Sequence, residues 1–157
     1  MFFFGKKDSG GEKDFAAGMA LRSGANGRTN HAEANAHFSR AAQSGHVDAL
    51  LELGFSCFKG LGTEPNETKA IEYYRLASDK GSANAAFNLA VMAMKGEGMP
   101  VNLTLAKQWA MLAEQRGNPR AGQLLVMIDF GLETERMEAA VVAGAARGWR
   151  LGFGGNA

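Results

Sequence analysis

The chain has 157 residues, 46% of them hydrophobic and 21% charged, the composition of an ordinary soluble globular unit. A formal net charge of +1 gives no electrostatic case for nucleic acid or an anionic membrane, and a single cysteine, Cys57, excludes an intramolecular disulfide. No run approaches the roughly 18 apolar residues of a membrane span.

Residues 1–12 read as a flexible N-terminal arm. Phe2 to Phe4 come before Lys6 and Lys7, whereas an export signal places its positive charges ahead of about 7 to 15 apolar residues, so a cytoplasmic location is expected. The three phenylalanines are expected to pack on the first helices, to dock on a partner or to promote self-association.

A periodic region follows over residues 13–147. Ala49, Leu53, Gly60, Gly62, Ala70, Ala77 and Gly81 recur 36 residues later as Ala85, Leu89, Gly96, Gly98, Ala106, Ala113 and Gly117. The same step backwards reaches Ala17, Gly18, Gly24, Ala34, Ala41 and Gly45, so copies occupy about 13–48, 49–84 and 85–120. Each copy divides into two helices. In the second copy Ala49 to Lys59 is apolar enough to pack on more than one side, and Gly60 stands where a left-handed cap belongs. Gly60-Leu-Gly62-Thr-Glu-Pro65 is a loop, and Asn66 starts the next helix by capping it, as Asn30 and Asn102 do in the other copies. Glu33, three residues after Asn30, completes an arrangement like a capping box. Ala70, Tyr73, Tyr74 and Ala77 share one face, the repeated alanines marking helix crossings, and Gly81 closes the helix.

The order Ala-x3-Leu-Gly-x5-Gly-x-Gly, then Ala-x2-aromatic-aromatic-x2-Ala-x3-Gly, resembles the Sel-one-like repeat, a relative of the tetratricopeptide repeat, over about residues 13–130. The resemblance implies an all-α fold, a right-handed superhelical solenoid of antiparallel helix pairs, whose concave face binds other proteins. Ala17-Gly18 and Leu89-Ala90 replace Leu-Gly, and His37-Phe38 and Trp109-Ala110 replace the aromatic pair, which predicts looser packing in copies one and three.

After Gly117 a fourth first helix is expected from Ala121 to Phe130. A break at Gly131-Leu-Glu133 should follow, then a helix over about 135–147 started by Thr134, with Met137, Val141 and Ala145 as its apolar stripe, covering the end of the stack. Residues 148–157 form a glycine-rich tail in which Trp149, Leu151 and Phe153 fold back or bind.

Chemistry-bearing patterns are scarce. His31, His37 and His46 all fall in copy one, but His31 and His37 are six apart and do not share a helix face as a metal pair would; His37 fits a packed core histidine. The Gly-x-Gly elements lack a preceding strand, which speaks against phosphate binding, and Asn66 and Asn102, though acceptor motifs for glycosylation, are accounted for as helix caps. Neither a convergent carboxylate pair nor a nucleophile–base arrangement emerges. No cofactor or metal is therefore expected, and the favoured role is a protein–protein interaction module. The alternatives are a dedicated inhibitor or immunity-type protein and, from another class, an enzyme whose site is assembled from distant residues. Leu53 and Leu89 face the core, so the groove is expected to present Glu52, Ser56 and Lys59, then Asn88, Met92 and Lys95, then Met127 and Ile128, with Trp149 and Phe153 as further partner contacts.

Overall fold

The computed structural model describes residues 11–25 and 27–151, with side chains described as far as residue 144. Seven helices appear among the described residues: α1 (Glu12–Ser23), α2 (His31–Gln43), α3 (Val47–Lys59), α4 (Glu67–Asp79), α5 (Ala83–Lys95), α6 (Leu103–Gln115) and α7 (Ala121–Leu151). Each packs on the one before and the one after, and no strand occurs among the described residues, so the architecture is an all-α helical repeat solenoid.

The helix ends form where the local chemistry requires them. Asn30, Asn66 and Asn102 accept backbone N–H groups from Glu33, Lys69 and Leu105 at 3.1, 2.8 and 2.8 Å. The Asn30 amide also donates to the Glu33 carboxylate at 2.9 Å, a side-chain variant of the expected box. At the other end of the turn Gly60 adopts φ 70° and its N–H donates to Ser56. The loop then returns, and the Asn66 N–H donates to the Cys57 carbonyl at 2.7 Å. Gly62 has a different task. A Cβ there would run into the backbone of His31 and Ala32, so the second glycine lets each loop press on the start of a helix in the preceding unit. Asn35 fixes that contact by donating to the Leu61 carbonyl at 2.7 Å.

Small residues set the helix spacing. Ala34, Ala41, Ala70, Ala77, Ala106 and Ala113 are all buried at the crossings. Within each unit a first-helix residue meets the aromatic position of the second helix: a Cβ on Gly18 or Gly54 would lie 2.6 Å from the Phe38 or Tyr74 ring. In the third unit both sizes change together, to Ala90 and Ala110, which are completely buried in one cluster. Burial at this contact is thus kept in the third unit, although two small residues stand where the second unit has a glycine and a tyrosine.

Two boundaries differ from expectation. Folded chain begins by Gly11, which packs against Ala41, rather than after residue 12. More importantly, α7 runs unbroken through Gly131 to Leu151, and residues 148–151 are helical rather than tail. Gly131 is not a breaker here: a Cβ on it would sit 2.9 Å from Leu103 of α6, so its role is close approach. Thr134 does not cap either, since its hydroxyl donates back to the Phe130 carbonyl at 2.6 Å inside the helix. Residues 133–144 are exposed instead of covering the stack.

The glycine–aromatic contact predicts that Gly54→Ala lowers stability by about 1–3 kcal/mol through overpacking. In a double-mutant cycle by thermal unfolding, Gly54→Ala combined with Tyr74→Ala should cost clearly less than the two separate losses added. Simple additivity would refute the size coupling.

Candidate protein-binding face

A helix turns about 100° per residue, so the buried positions of α3 decide which of its residues can meet a ligand. Ala49, Leu50, Leu53, Gly54, Ser56 and Cys57 are buried. The opposite stripe is Asp48, Glu52, Phe55 and Lys59, and α5 repeats it as Asn84, Asn88, Val91 and Lys95. Among the expected groove residues, Glu52, Lys59, Asn88, Lys95 and Met127 thus lie on the outward side. Ser56, Met92 and Ile128 do not: all three are buried, because a residue three after Leu53, Leu89 or Leu125 returns to the same helix face. The backbone of Trp149 lies in α7, its side chain falls outside the described residues, and so do Phe153 and Phe2 to Phe4.

The position one residue earlier carries the outward apolar side chains. Met19, Phe55, Val91 and Met127 follow one another at the 36-residue step, half-buried or exposed, and this row was open to sequence reading once the helix phase was right. Beside it α3 and α5 frame a cavity of about 120 Å³ lined by Phe55, Phe58, Tyr74, Asn88, Val91, Met92 and Glu97. Charges are already organised around the row. Arg22 forms an ion pair with Glu52 and lies 5.8 Å from the Phe55 ring centre, Lys59 sits 4.9 Å over Phe58, and Lys95 is 3.9 Å from Glu97.

The histidines have structural surroundings. His37 is half-buried and its Nδ1 lies 2.8 Å from Asp14, whose carboxyl that contact holds below its usual range; His46 stacks on Phe15 with ring centres 4.1 Å apart. No group of three or more His, Cys, Asp or Glu among the described residues is arranged to hold a metal ion.

The sequence profile of the Sel1 repeat matches residues 14–46, 47–82 and 83–118, more than half of the chain. The chain belongs to the Sel1 repeat family. Sel1 repeats are typically protein–protein interaction modules built on a helical scaffold. No curated protein matches the sequence. Among solved structures, a Sel1 repeat protein from Oxalobacter formigenes is similar at 29% identity and a TM-score of 0.65, the match covering 71% of this chain and 44% of that one. A protective antigen present in uropathogenic Escherichia coli strains, displaying an SLR fold, is similar at 29% identity and a TM-score of 0.67, over 73% of this chain and 24% of its own. The chain thus spans less than half the length of either protein. No helix among the described residues is long and apolar enough to cross a membrane.

At the floor of this Sel1 cavity, burial pushes the Tyr74 hydroxyl up to about 12, against the opposing pull of its hydrogen bond with Asn88. A raised pKa on a group that is neutral when protonated stabilises the fold below the ordinary tyrosine value and loses that contribution as pH climbs from about 10 to 12. Absorbance titration at alkaline pH should therefore place the ionisation of Tyr74 near 12, and Asn88→Ala should move it further up. A single step at the ordinary tyrosine value in folded protein would contradict the buried placement.

Proposed function

We propose that this chain is an adaptor-type module that takes a segment of a partner protein along the outward stripe of its first helices, acting as the concave face of the stack. The observation that carries the reading is the apolar row Met19, Phe55, Val91 and Met127, with the cavity open beside it. A ligand crossing from one unit to the next meets an apolar side chain at each step. Lys59 and Lys95 flank the row on one side, and Glu52 and Asn88 on the other. That pattern suits an amphipathic helix or extended peptide that seats one side chain in the cavity. At about 120 Å³ this cavity is well below the roughly 300 to 1,000 Å³ of small-molecule sites and suits a single peptide side chain.

An adaptor and a dedicated inhibitor would share this surface and differ in affinity. A cytoplasmic site of action belongs to the same proposal, and the buried lone Cys57, its thiol pKa pushed up by burial, suits a reducing compartment.

Photo-crosslinking groups placed at positions 55 and 91 should capture the partner from native lysate, while the same groups at Leu76 and Met111 on second helices should not. Phe55→Ser combined with Lys95→Glu should weaken the captured complex by about tenfold or more, roughly 1.4 kcal/mol, at a nearly unchanged unfolding midpoint. Capture from positions 76 and 111 instead would move the site to the second helices.

A further inference from the structure

The repeat lets one junction between units be compared with the next. At the first, where α1 and α2 meet α3, the side chain of Arg22 fills the space beside the outward row. Its guanidinium lies 6.0 Å from the centre of the Phe38 ring and 5.8 Å from that of Phe55, and it forms an ion pair with Glu52. The two charged side chains are 25% and 16% exposed, so the pair is largely withdrawn from water. A cation set against two aromatic rings and closed by a carboxylate is tolerated there because ring faces and carboxylate replace the water it has lost.

One repeat on, Tyr74 stands where Phe38 does, Val91 where Phe55 does, Asn88 where Glu52 does and Phe58 where Arg22 does. The internal cation is gone, and the corresponding space is the cavity of about 120 Å³ beside the row. Its walls keep the chemistry that holds Arg22. The aromatic side chains of Phe55, Phe58 and Tyr74 line it, and a carboxylate is supplied by Glu97, at the position that Leu61 has one repeat earlier. Glu97 is the only charged residue lining the cavity, and its side chain is 28% exposed. Lys95 stands 3.9 Å from it, beyond hydrogen-bond distance, and Lys59 lies over Phe58 without lining the cavity.

We infer that this cavity seats an arginine side chain of the partner segment, its guanidinium lying against the aromatic walls and paired with Glu97 as Arg22 is placed and paired one unit earlier. The inference rests on the first-helix stripe being the partner-binding face, and adds the chemistry of the side chain seated there. Arginine is the cation selected. A planar guanidinium lies flat on a ring and offers paired N–H donors to a carboxylate, whereas the ammonium of lysine is a compact, strongly hydrated point charge. An apolar side chain in the same place would cover the Glu97 carboxylate without giving it a partner.

N-acetyl-L-arginine methylamide is the probe, and its citrulline counterpart, of nearly the same shape without the charge, is the control. In the full chain the methyl resonance of Met92, a buried lining residue, should shift on titration with the arginine probe. The dissociation constant should be lower than that of the citrulline compound by about tenfold or more. Glu97→Gln, in the loop after α5, should remove that preference at an unchanged unfolding midpoint. Phe58→Arg, which restores the arrangement of the first junction, should fill the cavity from within and abolish the Met92 shift. Equal binding of the two probes, tighter binding of the corresponding lysine compound, or a Met92 resonance that the arginine probe leaves unmoved overturns the inference. A Glu97→Gln chain that keeps the preference, or a folded Phe58→Arg chain that binds as the unaltered one does, overturns it as well. Capture of the partner through positions 55 and 91 would survive each of these results, whereas capture through 76 and 111 removes the face itself.

Discussion

Close approach between helices is the constraint on which the rest of this molecule depends. Each unit brings its first and second helix together at a close contact: Gly18 with Phe38 and Gly54 with Tyr74, where one partner is kept small so that the other can be large, and in the third unit two small residues, Ala90 and Ala110. The buried alanines at the crossings extend the same logic between units. A methyl group in the wrong place would wedge two helices apart, and because each unit rests on the next, the displacement would be passed along the stack.

The loops solve a related problem. One glycine of the Gly-x-Gly pair ends the first helix in the left-handed region, and the other lets the loop rest on the preceding unit without a side chain between them. A motif that in another setting would cradle a phosphate is here occupied with joining repeats. Polar groups between units are similarly committed: Arg116 donates to the Ser78 carbonyl at 2.8 Å, and buried Asn118 donates to Asn84 at 2.9 Å. With loops and crossings engaged in packing, the outward stripes of the helices are the surface left uncommitted to the stack. On the first helices that stripe carries an apolar residue in every unit.

The fourth unit shows what happens when the pattern stops. Without a Gly-x-Gly-Pro loop the chain has no local instruction to reverse, and α7 continues as one helix well past its contact with α6. Its apolar residues keep a seam-like spacing although no second helix follows among the described residues. The last described helix is therefore chemically unlike the first, where Gly11 rests on Ala41 and Phe15 packs with Phe38 and His46.

The sequence by itself determined the period, the helix pairs, the asparagine caps, the glycine stops and the alanines that become crossings, because each depends on neighbouring residues or on exact recurrence at 36 residues. Only the tertiary structure decided the phase of the outward face. Glu52, Lys59, Asn88, Lys95 and Met127 point outward while Ser56, Met92 and Ile128 are buried, since a shift of one residue turns a side chain by about 100° and the direction of the core is set by the neighbouring helices. The same holds for α7. Gly131 and Thr134 are locally ambiguous signals, able to end a helix or to sit inside one, and the contact with Leu103 and the hydrogen bond back to Phe130 are what keep the helix going.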